Sequence, residues 1–170
     1  MFLFSRIRKN INNRRKLKYV SSIVLGLNDA LVELIGILAG LTLALQEVRL
    51  IAITGFITGI AASLSMASSE YLSTKEEGDN RKPIKAAFYT GLSYFLTVVI
   101  LTLPYLFFSN VYFCLISSIS LSVLIIFLFN FYISKIKKIS LQKRFTEMLL
   151  VSLGVAFVSF IIGYLIKIFL

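Results

Sequence analysis

The sequence predicts an all-α, polytopic membrane protein with five transmembrane helices, the N-terminus in the cytosol and the C-terminus outside or in a lumen. Three observations carry this. Of 170 residues, 58% are hydrophobic, which a soluble domain of this length rarely matches. Apolar runs near or above the ~20 residues needed to cross a bilayer recur along the chain. The basic residues, which give a formal charge of +10, gather in alternate connections, as the positive-inside rule requires.

Residues 1–18 form a basic cytosolic N-terminal segment with seven Lys/Arg among Phe2, Leu3, Phe4, Ile7 and Ile11. It reads either as a short helix on an anionic leaflet or as a disordered tail. Arg14 to Lys18 run straight into the first apolar stretch with no small-residue cleavage site, so no cleaved signal peptide is expected. Residues 19–170 form the five-helix transmembrane domain and leave no room for a separate soluble one. The spans are expected at Tyr19–Leu45, Leu50–Thr74, Ala86–Phe108, Val111–Ile133 and Phe145–Phe169. The N-terminal segment, the second connection and the fourth carry seven, four and five Lys/Arg, sixteen in all, against Arg49 and Lys167 on the other side. Most tyrosines fall near span ends, where an amphipathic ring suits the headgroup level; Tyr94 sits well inside a span. Pro104 is expected to kink the third span. Asn130 reads as interfacial, and Glu147 as a helix-opening acid.

Composition excludes several functions. There is no histidine, the commonest metal ligand and general base. Cys114 is the single cysteine, so no intramolecular disulfide forms. No Ser/His or Cys/His pair, phosphate loop or HExxH is present, and the chain is not expected to be an enzyme. The basic clusters are short membrane flanks, which argues for the lipid bilayer as partner and against nucleic acid.

Two carboxylates inside the first apolar run carry the chemistry. An ionisable residue at the bilayer centre costs at least ~2.5–3.5 kcal/mol and usually faces a bundle interior or a watery path. On a helix, Asp29, Glu33, Gly36 and Gly40 fall within about 60° of one another. No Lys or Arg lies in the core of any span to neutralise the acids. The second span bears a matching stripe of Gly55, Gly59, Ala62, Met66, Glu70 and Ser73, read from glycine to acid. The two spans run in opposite directions, so this order brings the polar ends of both stripes into the cytosolic half. Asp29 lies roughly 16 Å from Lys18 and Met66 roughly 13 Å from Lys75, similar depths. Asp29, Glu33, Met66 and Glu70 are therefore the candidate metal ligands. Oxygen with thioether suits a transition metal better than Mg²⁺ or Ca²⁺. Met66 also reads as core packing, and Glu70 as a solvated interfacial acid. The pairs Gly36/Gly40 and Gly55/Gly59 read as close helix packing, with pore lining as the rival.

The blocks Gly26-Leu27-Asn28-Asp29-Ala30-Leu31-Val32-Glu33 and Ile57 to Ser73, the latter containing Ser65-Met66-Ala67-Ser68-Ser69-Glu70-Tyr71, resemble the vacuolar iron transporter family. The resemblance implies a homodimeric exporter of Fe²⁺, often also of Mn²⁺, moving ions from cytosol to lumen or exterior in exchange for protons. It also implies that Asp29 and Met66 line the path at the dimer interface. The connection Lys75 to Lys85 is too short for the helical, Glu- and Met-rich cytosolic domain of plant and fungal-type members, so smaller prokaryotic members are the closer match.

The expectation is thus an integral membrane protein, of a prokaryotic inner membrane or of a vacuolar-type membrane in a eukaryote. It binds no permanent cofactor, carries Fe²⁺ or Mn²⁺ as cargo and uses protons as coupling ion. Two first spans are expected to meet at a two-fold axis along Gly36 and Gly40, because symmetry doubles the ligands at Asp29's depth. Two other readings compete: a proton-coupled organic-cation efflux pump, which needs a wider aromatic cavity around its acid, and a membrane scaffold or sensor subunit, in which the carboxylates are dispensable.

Overall fold

The computed structural model describes residues 19–78, 81–137 and 140–169; the N-terminal segment 1–18 lies outside them. Five helices follow in order: α1 (Val20–Ala44), α2 (Val48–Glu76), α3 (Pro83–Phe107), α4 (Val111–Lys137) and α5 (Leu141–Phe169). Each is long and apolar enough to span a membrane, and the described residues form no strand.

Helix ends differ from the expected spans by a few residues, for local reasons. α3 starts at Pro83, not Ala86, since a proline's missing N–H is not needed in a first turn. Asn110 Oδ1 accepts the Phe113 N–H (3.0 Å), a side-chain cap that fixes the start of α4. Ser140 Oγ accepts the Lys143 N–H (3.4 Å) in the same way. α5 therefore begins at Leu141 rather than at Phe145, and Glu147 sits in its second turn instead of opening the helix. Between α1 and α2 the chain reverses at Gln46, whose φ of 52° is left-handed.

α1 is the central helix and touches all four others. Ala30, Leu31, Leu34, Ile35 and Leu38 are fully buried. They pack with Ile51 of α2, Val98 and Leu101 of α3, Ile126 of α4 and Ala156 of α5. The outer faces are apolar as well: Ile57, Leu64, Phe88, Ile116, Leu150 and Phe157 are all more than half exposed. Such a surface suits lipid and not water. Most span hydroxyls bond within their own helix, as Thr58 does to the Thr54 carbonyl (2.7 Å) and Thr102 to that of Val98 (2.7 Å). In hydrocarbon no other partner is at hand.

Glycines set where helices approach. A Cβ on Gly26 would collide with the Thr90 carbonyl of α3, and one on Gly163 with the Gly40 carbonyl. Gly36 faces Val155 and Ser159 of α5, Gly55 faces Leu38 and Thr102, and Gly59 faces Val98. All four glycines singled out in the sequence lie at helix contacts. The Gly36–Gly40 face, however, is covered by α5 of the same chain. It is not open for two first spans to cross, which the glycine stripe taken alone suggests. The sequence could not reveal this, because the complementary small residues, Ser159 and Gly163, lie more than a hundred positions away.

These contacts fix helix directions. Gly26 meets Thr90 and Thr42 meets Tyr105, so α1 and α3 run together; Gly36 meets Val155 and Gly40 meets Gly163, so α5 runs with them. One end of the bundle consequently carries Lys75, Arg81, Lys82, Lys135, Lys143 and Arg144; we call it the basic end. Tyr105, in the last turn of α3 near the span end as expected, is buried within the bundle, its hydroxyl 2.9 Å from that of Thr42.

Candidate functional site

Asp29 lies nine residues into α1, about 14 Å from the basic end. Its side chain opens into a crevice of ≈ 490 Å³, walled by Leu25, Asn28 and Val32 of α1 and by Val151 of α5. Asp29 makes no ion pair among the described residues. Glu33 follows one turn deeper and is exposed. Tyr94 of α3, buried at 1% exposure, donates its hydroxyl to Glu33 Oε2 at 2.6 Å. This short bond to a carboxylate is of the strong kind, and it ties the second acid of α1 to α3. The sequence marked Tyr94 only as a tyrosine out of place; being the one tyrosine well inside a span was the available signal.

Glu70 is neither solvated nor beside Asp29 in the crevice. It is buried at 6% exposure. Its Oε1 accepts bonds from Ser22 Oγ (2.7 Å) and Arg81 Nη1 (2.8 Å). Arg81 Nη1 also lies 3.2 Å from Ser21 Oγ, and Nη2 lies 3.5 Å from Glu77 Oε2. Around this pair Tyr19 OH accepts the Lys82 N–H (3.2 Å), Thr90 bonds the Ser22 carbonyl (3.0 Å), and the Tyr19 and Tyr89 rings are 5.2 Å apart. The result is a polar clasp at the basic end, joining α1, the end of α2 and the start of α3. Gly78 takes a left-handed φ of +60°, and Arg81, three positions on, lies back against Glu70. That reversal is what sequence spacing did not reveal.

Met66 is half-buried and packs against the apolar core. It lies ten residues before the end of α2, about 15 Å deep and so level with Asp29, but it is not in the wall of Asp29's crevice. Of the four expected ligands, then, the structure places Asp29 and Glu33 on one face, Met66 at their depth on another helix, and Glu70 in the clasp. Among the described residues no three acidic or thiol side chains converge to hold a metal ion within one chain.

Asn130 departs from its expected interfacial position. It is fully buried, donating its amide to the Ile126 carbonyl (2.9 Å) and to Met148 Sδ of α5 (3.0 Å). At the end opposite the basic one, a cavity of ≈ 700 Å³ opens between the α1–α2 and α3–α4 turns; it exposes one acid and one base, Glu47 and Arg49.

Comparison with known protein families gives one description, the VIT family, matching residues 20–82 and 76–164. A search of curated proteins finds no match.

Proposed function

The chain belongs to the vacuolar iron transporter (VIT) family of membrane metal-ion transporters, and on that footing we propose that it exports divalent transition-metal ions, Fe²⁺ and also Mn²⁺, from the cytosol in exchange for protons. The observation that carries this reading is the Asp29–Glu33 pair: two carboxylates one turn apart at mid-membrane depth, Asp29 at an open crevice and Glu33 held by Tyr94, neither with a basic partner among the described residues. Two unpaired acids at that depth are costly unless a cation or protons neutralise them. One competition then accounts for exchange. Metal binding expels protons from the carboxylates, and metal release lets them return. Met66 brings a thioether to the same depth, a donor that favours transition metals over Mg²⁺ or Ca²⁺.

The basic end faces the cytosol in this reading, because sixteen of eighteen Lys/Arg fall, by sequence, in the N-terminal segment and in the second and fourth connections. The protein works as a homodimer in a prokaryotic inner membrane. Support for the dimer comes from Glu33, whose exposed side chain at the middle of a span needs cover from lipid. It also comes from Ala61, Ser65 and Ser69, small residues at i, i+4, i+8 on the exposed face of α2. Small residues let membrane helices approach closely, and two-fold symmetry would double a ligand set that one chain leaves incomplete.

The test is uptake into proteoliposomes. Fe²⁺ or Mn²⁺ influx with an opposite pH change inside is expected. Transport of an organic cation such as ethidium without metal flux would select the efflux-pump reading instead.

A further inference from the structure

Four buried side-chain oxygens lack a hydrogen-bond partner among the described residues; one, Thr74 Oγ1, lies near the end of α2, and the other three are Asn28 Oδ1 of α1, Asn130 Oδ1 of α4 and Ser152 Oγ of α5. From the basic end these three lie eight, seven and eleven residues along their helices, about 11–17 Å deep and so within about one helical turn of one another. The three helices pack together in every pairing. Asn130 and Met148 join α4 to α5 at 3.0 Å, and Ser152 is one turn beyond Met148 on the same face of α5.

The direction of the Asn130 amide is set by its neighbours. Turned the other way, Oδ1 would face the Ile126 carbonyl and the Met148 sulfur, both acceptors. Its oxygen therefore points away from both, with 0% of the residue exposed. Asn28 belongs to the wall of Asp29's crevice, and so does Val151, the chain neighbour of Ser152. On α1, Asn28 and Glu33 flank Asp29 on opposite sides.

A buried oxygen left dry and without a hydrogen bond is destabilising. Two of the three are acceptors only, and the third both accepts and donates. The occupant they fit is a small neutral donor of hydrogen bonds, which is water. We propose that ordered water fills the α1–α4–α5 junction and forms an inner, aqueous branch of Asp29's crevice, on the side away from Glu33 and Tyr94. The branch would give the crevice contact with water that does not pass the carboxylate pair.

The proposal goes beyond the transport reading and holds whichever ion is carried. Its test is water-edited solid-state NMR on the isotope-labelled wild-type protein in bilayers. The side chains of Asn130 and Ser152 should receive polarisation from water several-fold faster than Ser118, which is equally buried but bonded to the Leu101 carbonyl (2.7 Å). Transfer as slow as at Ser118 would overturn the proposal. Ser152→Ala gives an independent sign: loss of thermal stability is expected if the hydroxyl holds water, whereas an unchanged or raised melting temperature would mark a dry, unsatisfied group and contradict it.

Discussion

Arg81 Nη1 lies 2.8 Å from Glu70 Oε1, and both side chains are largely buried, at 14% and 7% exposure. The contact holds the α2–α3 connection against the first turn of α1. Removing one member of a buried pair strands the other charge and costs about 3–5 kcal/mol, whereas replacing both with apolar groups is often neutral. Arg81→Met should therefore lower the melting temperature sharply, and Glu70→Met/Arg81→Met should restore most of it. If Glu70 acts through the clasp, transport returns with stability in the double variant. A stable double variant without transport would make Glu70 a group on the ion's path.

Tyr94→Phe removes only the hydroxyl that fixes Glu33. A hydrogen bond to a charged group contributes about 1.5–3 kcal/mol, so a several-fold rise in KM for Fe²⁺ or Mn²⁺ is expected, with the fold kept. Initial-rate measurements on proteoliposomes decide this, and an unchanged KM would mean that Glu33 is not positioned by α3.

The α1–α5 contact leaves no space at Gly163, while a methyl added at Gly154 on the same helix would meet open space. Overpacking costs about 1–3 kcal/mol. Gly163→Ala should lower thermal stability in detergent and Gly154→Ala should not. Equal effects would show that α5 is not seated on Gly40.

Since α5 covers Gly36 and leaves Ser65 exposed, the two positions should crosslink differently. In a Cys114→Ala background, oxidation should join two protomers through Ser65→Cys and not through Gly36→Cys. The reverse pattern on gels would place the first spans at the two-fold axis and α5 elsewhere.

The five helices were legible in the sequence because each apolar run is long and each polar break is short. The carboxylate face of α1 was legible because its spacing is local, within two helical turns. What was not legible depends on chain reversals or distant partners. Arg81 pairs with Glu70, eleven positions back across the α2–α3 connection; Gly36 and Gly40 meet residues of α5; and Asn130, seven residues from a helix end, is covered because α5 packs over it at Met148. Local periodicity states which face of a helix is special, but not which helix covers it.

The central claim is that metal and proton compete for Asp29. Asp29→Asn is nearly isosteric and should fold. The direct measurement is Fe²⁺ or Mn²⁺ influx into proteoliposomes with a pH-sensitive dye inside. Wild-type protein should couple metal entry to proton exit, and Asp29→Asn should abolish metal-driven proton movement. Exchange by Asp29→Asn at the wild-type rate would contradict the account.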